Sequence, residues 1–335
     1  MKLKSKRKEL IYWAVLLNQK GFVTARSGNI SLKVAKDKIL ITSHDSYLGY
    51  LREDEILLVN LEGEILEGEK EITSEKKLHL DIHKKFKDIN VILHAHPPFT
   101  IAFFHYFDKL DIFSFEAKFY LGSIKVIPQD TPIVIDTAPI LEALDTSNIV
   151  VLKNHGIISV GKKFKEAFSL IELLEEQAKV NILMKDKGYY IGEDIEDTPE
   201  VKKPLQQSES KRFKLLSKEH IDRLIELVNS DEEAQTLGRK YDLTCTLAVK
   251  NQDTNDTVRF HYKQGKIIKV DNNDNAEFVI IGKTEILKKI FNREIDPFVA
   301  STQGKVKTKG DFSKMSRWYP VLVRTFKLWE EAPVE

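Results

Sequence analysis

The sequence predicts an α/β protein in two domains, a mixed α/β unit followed by a smaller α+β one. Three observations predict it. The chain has 335 residues, more than one ordinary core of roughly 150 residues encloses. Apolar runs of strand length are interleaved with amphipathic helices between residues 4 and 184, without the strict β–α–β rhythm of a doubly wound sheet. A polar stretch, "KGYYIGEDIEDTPEVKKPLQQSESKR" (187–212), carries Pro199 and Pro204 and no apolar periodicity, so it reads as the end of one domain and a linker. The expected division is 1–195, a linker at 196–212, and 213–335.

The elements follow in order. Residues 4–20 read as an amphipathic helix stopped by Gly21. "KILIT" (38–42) and "ILLVNL" (56–61) are strands, and "LEGEILEGE" (61–69) alternates around Gly63 as a hairpin. "TSEKKLHLDIHKKF" (73–86) has helical spacing, with Thr73 or Ser74 able to cap its start. "VILHAH" (91–96) is a buried strand, and Pro97 and Pro98 permit a turn into the helix "FTIAFFHYF" (99–107). "NIVVLKNHG" (148–156) reads as a strand that "IISVG" (157–161) continues, before a long helix at 164–184. Beyond 213, two helical stretches precede strands at 243–250, 256–263, 266–272 and 276–282. A helix at 283–291, a strand at 304–310 and a closing helix at 314–329 complete the chain.

Composition narrows the function. Apolar content is 42% and charged content 31%, as in ordinary globular proteins. A net charge of +1 gives no global field favouring nucleic acid or acidic membranes. The basic-then-apolar opening "MKLKSKRKELIYWAVLL" is too short in its apolar part for a targeting segment and reads as a mature helix. No run of 18 apolar residues argues for a membrane span. The single Cys245 excludes an internal disulfide and fits a reducing, cytoplasmic compartment.

The chemistry gathers around histidine. His94 and His96 are two apart on a strand and share a face. His155, in "LKNHG", is the other histidine at a strand end beside a glycine, and Gly156 would let the backbone turn there. Three imidazoles with an open position make a catalytic zinc arrangement, or one for another divalent transition ion. The alternative is three satisfied structural histidines. Glu75, at a helix start, is a plausible general acid/base beside such a metal. His79 and His83 are four apart on one helix face, but no H-E-x-x-H accompanies them, so they read as core or surface residues. "ARSGNIS" (25–31) could offer Ser27, Gly28 and Asn29 to an anion, or be an ordinary turn.

Together these pieces resemble the class II aldolase/adducin family over about residues 5–185. "GFVTARSGNISLK", "EDEILLVNLEGEILEG", "TSEKKLHLDIHK", "VILHAHPP" and "VVLKNHGIISVG" match its motifs in order. The resemblance implies an α/β/α domain with a mixed, mainly antiparallel sheet. It implies zinc or a related ion on His94, His96 and His155, and Glu75 as acid/base. It implies a lyase cleaving a carbon–carbon bond in a hydroxy-carbonyl substrate through a metal-stabilised enediolate. It also implies a homotetramer with a tyrosine supplied by a neighbouring subunit, for which Tyr120 is a candidate. Sugar-phosphate members hold phosphate with three loops. Asn29, with Ser27 and Gly28, matches the first, and Thr73 and Ser74 match the third. The second loop, usually T-P-S-G, here places Ser43, His44 and Asp45, and Arg26 stands where a small hydroxyl residue is common. A carboxylate beside a phosphate is unfavourable unless Arg26 or His44 compensates, so weak phosphate recognition is expected. A decarboxylase of a hydroxy-aromatic or other non-phosphorylated acid is the alternative, and a non-catalytic adducin-like module a further one.

Residues 213–335 resemble the sterol-carrier-protein type-two-like fold, through "EFVIIGKTEILKKIF" and "ASTQGKVKTKGDFSKM". That resemblance implies a small sheet and helices around a tunnel for a lipid or other apolar ligand. Phe260, Tyr262, Phe278, Trp318 and Tyr319 would line the tunnel or form the core.

Overall fold

The computed structural model describes residues 2–129, 131–186, 212–311, 315 and 318–335. The chain divides into two compact units, Met1–Glu193 and Asp194–Glu335. The linker expected at 196–212 lies outside the described residues except for Arg212.

The first unit opens with α1 (Lys2–Gln19), which buries Leu10, Ala14 and Leu17 on one face. Gly21, at φ +74°, ends it in the left-handed conformation that suits glycine. The sheet strands are β1 (Asn29–Ala35), β2 (Lys38–Thr42), β3 (Ile56–Asn60), β4 (Ile65–Glu67), β5 (Val91–Ala95), β6 (Lys125–Pro128), β7 (Ile149–Lys153) and β8 (Gly156–Gly161). Their order is β4-β3-β2-β1-β5-β8-β7-β6. Neighbours run antiparallel except β6 with β7. The helices are α2 (Lys76–Lys85), α3 (Pro98–Tyr106), α4 (Phe115–Tyr120), α5 (Ala138–Thr146) and α6 (Phe164–Asp186).

Strand alternation builds the layers. Val91, Leu93 and Ala95 share a core with residues of α1, α3, α4 and α6, such as Leu10, Phe103, Ala117 and Ile171. Ile92 faces the other way, into a core with Leu78 and Ile82 of α2 and Ile140 and Leu144 of α5. This is the expected α/β/α sandwich with a mainly antiparallel sheet.

Two sequence expectations are corrected. Residues 148–161 are not one continued strand. They form an antiparallel hairpin, with Leu152 opposite Gly156 and Asn154 at φ +65° in the turn. Both strands are buried on both faces, so no alternation marks the break. Neither Thr73 nor Ser74 caps α2. Glu75 itself occupies the cap position, with its side chain making no cap hydrogen bond, because that side chain is turned inward. β1, β6, α4 and α5 were not among the expected elements, although Ile30, Leu32 and Val34 alternate along β1.

The second unit contains α7 (Lys218–Ser230), α8 (Glu232–Lys240), β9 (Cys245–Asn251), β10 (Thr257–Lys263), β11 (Lys266–Asp271), β12 (Phe278–Gly282), α9 (Thr284–Phe291), α10 (Pro297–Thr302), β13 (Lys307–Lys309) and α11 (Tyr319–Leu328). Its sheet order is β11-β10-β9-β12-β13. Phe260, Tyr262, Phe278 and Trp318 are buried, and Tyr319 packs on Phe298. A cavity of about 20 Å³ lies among Leu247, Phe278, Ile280, Phe298 and Phe326, room for about one water.

Candidate metal centre

The centre is assembled by strand register. Asn29 of β1 lies opposite His94 of β5, and His94 lies opposite Ile158 of β8. His96, two residues on, keeps the same face, and the hairpin turn brings His155 to meet it. Gly156 does not supply the bend, because its φ is not among the positive ones. It supplies space instead. A β-carbon there would stand 2.5 Å from the Ala95 carbonyl oxygen and 2.9 Å from Cδ2 of His96.

The three ring nitrogens converge. Nε2 of His94 lies 2.9 Å from Nε2 of His96 and 3.3 Å from that of His155. Nδ1 of His94 donates to the Ile157 carbonyl over 3.0 Å, which leaves Nε2 with its lone pair towards the centre. Burial, then the neighbouring histidines, push His96 down to about 3 and His155 down to about 4. Both are neutral donors near pH 7. Lone pairs this close repel unless a cation sits among them. Tetrahedral zinc with nitrogen at about 2.1 Å would set its ligands about 3.4 Å apart, so the donor set fits and His94, His96 and His155 could hold a metal ion.

Glu75 faces the same point. Its Oε2 stands 3.1 Å from Nε2 of His94 and accepts from the Asn29 amide over 3.0 Å. Its Oε1 accepts from the Val134 backbone N–H over 3.3 Å. The side chain is buried. Burial opposes its charge, but positive charge at His94, whether a proton or the ion the imidazoles would hold, and then the Asn29 amide outweigh that, and the carboxyl is held below its ordinary value.

Behind Glu75 runs a polar seam between β1 and α2. Asn29, Ser31 and Lys33 alternate along one strand face. Oδ1 of Asn29 accepts from Nε2 of His79 over 2.6 Å. Oγ of Ser31 lies 2.7 Å from Nδ1 of His79 and 2.9 Å from Nε2 of His83. The Lys33 ammonium donates to the His83 carbonyl over 3.2 Å, at the C-terminal end of α2. Sequence reasoning set His79 and His83 aside. The signals were their i, i+4 spacing and, for His79, the S-S-E-x-x-x-H motif that "TSEKKLHLDIHK" resembles, and their partners lie some 50 residues away.

The expected substrate loops divide. Asn29 points to Glu75 and His79, and Thr73 is buried beside them, its hydroxyl 3.5 Å from the Glu75 backbone nitrogen. Gly28, at φ +80°, must be a glycine, since a β-carbon would stand 2.8 Å from the His94 carbonyl oxygen. Ser27 closes its own turn, accepting from the Thr24 N–H over 3.0 Å and donating to its carbonyl over 2.7 Å. Ser43 is buried and shares a 2.9 Å hydrogen bond with Ser46. Ser74 is exposed. Arg26 pairs with Asp45 over 3.0 Å, and His44 lies 3.7 Å from the same carboxylate, all of them exposed. Asp45 has φ +58°. Tyr120 is partly exposed at the end of α4.

Comparison with known proteins follows this geometry. Residues 8–182 match the family Class II Aldolase and Adducin N-terminal domain, and residues 221–322 match the SCP-2 sterol transfer family. The chain is 35% identical to an L-fuculose phosphate aldolase of Methanococcus maripaludis, over 52% of this chain and 93% of that one. It is 29% identical to a 3-oxo-tetronate 4-phosphate decarboxylase of Haemophilus influenzae, over 48% and 80%. The crystal structure of L-fuculose-1-phosphate aldolase from Thermus thermophilus superposes with a TM-score of 0.50 at 25% identity, covering 57% of this chain and all of that one. The chain is therefore a member of the class II aldolase and adducin family, with an SCP-2 sterol transfer domain following the aldolase domain.

Proposed function

We propose that residues 1–195 form a metal-dependent lyase of the aldolase type, acting on a hydroxy-carbonyl substrate, joined through 196–212 to a second domain at 213–335. One observation carries the reading: three imidazole Nε2 atoms and the Glu75 carboxylate converge on one point. His94, His96 and His155 would hold zinc or a related divalent ion. Such an ion, when bound, polarises a substrate oxygen as a Lewis acid. Glu75 takes and returns the proton that carbon–carbon cleavage moves, and being held ionised it starts in the form that accepts one. Burial keeps bulk water from competing with it. Asn29 and Thr73 flank the carboxylate, with Gly28 leaving room beside the His94 backbone.

Decarboxylation of a hydroxy-aromatic or other non-phosphorylated acid is a second reading. The Arg26–Asp45 pair favours it, because it puts a carboxylate where a phosphate would otherwise be received. A non-catalytic adducin-like module is disfavoured by the presence of all three histidines and Glu75. Exposed aromatics on and around α3 and α4, including Tyr106, Phe113 and Phe115, support assembly with further copies as a homotetramer. The match of residues 221–322 to the SCP-2 sterol transfer family supports an apolar ligand in the second domain.

The test is metal analysis of the purified full chain after supply of zinc, manganese, iron and cobalt, followed by assay with two probes. Dihydroxyacetone phosphate with an aldehyde tests aldol chemistry, and a dihydroxybenzoate tests release of carbon dioxide. One ion per chain and metal-dependent turnover of either probe supports the lyase. Absence of a stoichiometric ion sinks it.

A further inference from the structure

Glu75 is not held by its metal-side neighbours alone. We propose that His79 is a positioning residue for Glu75: the chain His83–Ser31–His79 locks the Asn29 side-chain amide so that Nδ2, not Oδ1, faces the carboxylate. The role of Glu75 as acid/base rests on the lyase reading above. The geometry of the lock does not.

The directions of the hydrogen bonds from Glu75 back to Ser31 follow one from the next. An ionised carboxylate only accepts, so the amide end facing Glu75 over 3.0 Å must be Nδ2. Oδ1 then faces His79, whose Nε2 must carry the proton in their 2.6 Å contact. Burial keeps His79 and His83 neutral, each pushed down to about 3. A neutral His79 protonated on Nε2 has an accepting Nδ1, and that nitrogen takes the single Ser31 hydroxyl proton over 2.7 Å. Ser31 has no second proton to give, so its 2.9 Å contact with His83 must be donated by Nε2 of His83. The protons all point towards Glu75, and no step is free to reverse by itself.

An asparagine amide is symmetric in shape, and a half-turn exchanges its oxygen and nitrogen. A flipped Asn29 would aim its oxygen at the carboxylate and withdraw the Nδ2 donor from Oε2, the oxygen that faces His94. His79 prevents this, because its Nε2–H would meet the amide NH₂. All four side chains are buried, so water cannot substitute for a lost partner and the preference is strong. The chain is not a proton wire, because the amide of Asn29 does not readily pass a proton on. It orients the carboxylate.

The test combines tautomer, rescue and exchange. In the metal-loaded full chain, long-range ¹H–¹⁵N NMR should find His79 and His83 neutral and protonated on Nε2 from pH 6 to 8. An Nδ1–H tautomer on His79, or an imidazolium, overturns the proposal without reference to any reaction. Deuterium exchange into dihydroxyacetone and its phosphate, in D₂O, then reads the base. His79→Leu should lower the exchange kcat about 10- to 100-fold with KM and metal content little changed. His79→Gln, which keeps an amide donor near the Nε2 position, should recover most of that rate. Equal rates for wild type and His79→Leu overturn the proposal, as does a Gln variant no better than Leu. If His79→Leu fails to fold, the tautomers and the Gln variant still decide. If the wild-type protein exchanges neither probe while the tautomers are as stated, the lyase reading fails and the positioning of the Asn29 amide stands.

Discussion

A β-carbon on Gly156 would stand 2.9 Å from Cδ2 of His96. Register explains it: Ala95 pairs with Ile157, so the next step across the ladder sets Gly156 against His96. Gly156→Ala should push the His96 ring off its position. Metal affinity should fall about tenfold or more, a loss typical for groups that hold ligands in place. Competition titration with a chromophoric chelator reads it, and unchanged affinity would show that the ring has room to move.

Removing one imidazole leaves two donors. His94→Ala, His96→Ala and His155→Ala should each abolish stoichiometric metal in the purified chain, with the fold retained by circular dichroism. Glu75→Gln should keep the metal and lose turnover. Loss of the ion from Glu75→Gln would instead make the carboxylate a ligand.

Phosphate recognition turns on Asp45. The Arg26–Asp45 pair is exposed and worth little to stability, but the carboxylate occupies the guanidinium that would otherwise meet an anion. Asp45→Gly also relieves a left-handed backbone at φ +58°. Phosphoglycolohydroxamate should bind wild-type protein weakly. Asp45→Gly should bind it about five- to tenfold tighter, the effect of roughly 1 kcal/mol from removing one nearby like charge. Calorimetry on the metal-loaded forms reads both, and tight binding by the wild type would contradict the expectation.

Glu175 anchors the helix that follows the metal strand. From α6 it accepts from the Phe99 and Thr100 backbone N–H groups and from the Thr100 hydroxyl, at 3.0, 2.8 and 2.8 Å. The two N–H groups are donors of the first turn of α3 with no partner inside the helix, here joined to a buried charged acceptor. Glu175→Ala should cost about 3 kcal/mol in the denaturant unfolding of the first unit. A change below about 1 kcal/mol would mean that water replaces the carboxylate there.

Acid sensitivity should be found in both units, through His79 and His83 in the first and His220 in the second. His220 is fully buried against Phe291, and burial pushes it down to about 4. Its folded pKa therefore lies below its unfolded value of about 6.5. The unfolded chain takes the proton first, so the stability contributed is complete above about pH 6.5 and is lost as pH falls towards 4. The loss is on the order of 3 kcal/mol. Thermal melts of the full chain between pH 7 and 4, followed by near-ultraviolet circular dichroism, should show it. His220→Phe should remove the second unit's share of the dependence and leave the share that the buried His79 and His83 give the first unit.

Much of this centre was legible in the sequence because strand geometry is local. His94 and His96 share a face by period alone, and His155 stood out beside a glycine. The reason for that glycine was not legible, since its neighbour lies on another strand. The hairpin at 149–161 was hidden for a related reason: central strands covered on both sides lose the alternation that would mark a turn. Asn29 read as a loop residue offered to a substrate, whereas its amide is committed to Glu75, 46 residues away. His79 and His83 looked bland because a buried polar network has no periodic signature of its own.

The seam between β1 and α2 also fixes a dimension. Leu78 and Ile82 press α2 onto the sheet, but oily surfaces slide on one another with little resistance. Asn29, Ser31 and Lys33 behave instead like teeth on a rack, each meshing with a different turn of the helix. A slip of α2 along its axis would unseat all three together. The distance from the carboxylate to the three imidazoles is thus indexed by the strand repeat, and the exposed loop around Asp45 can vary its chemistry without moving it.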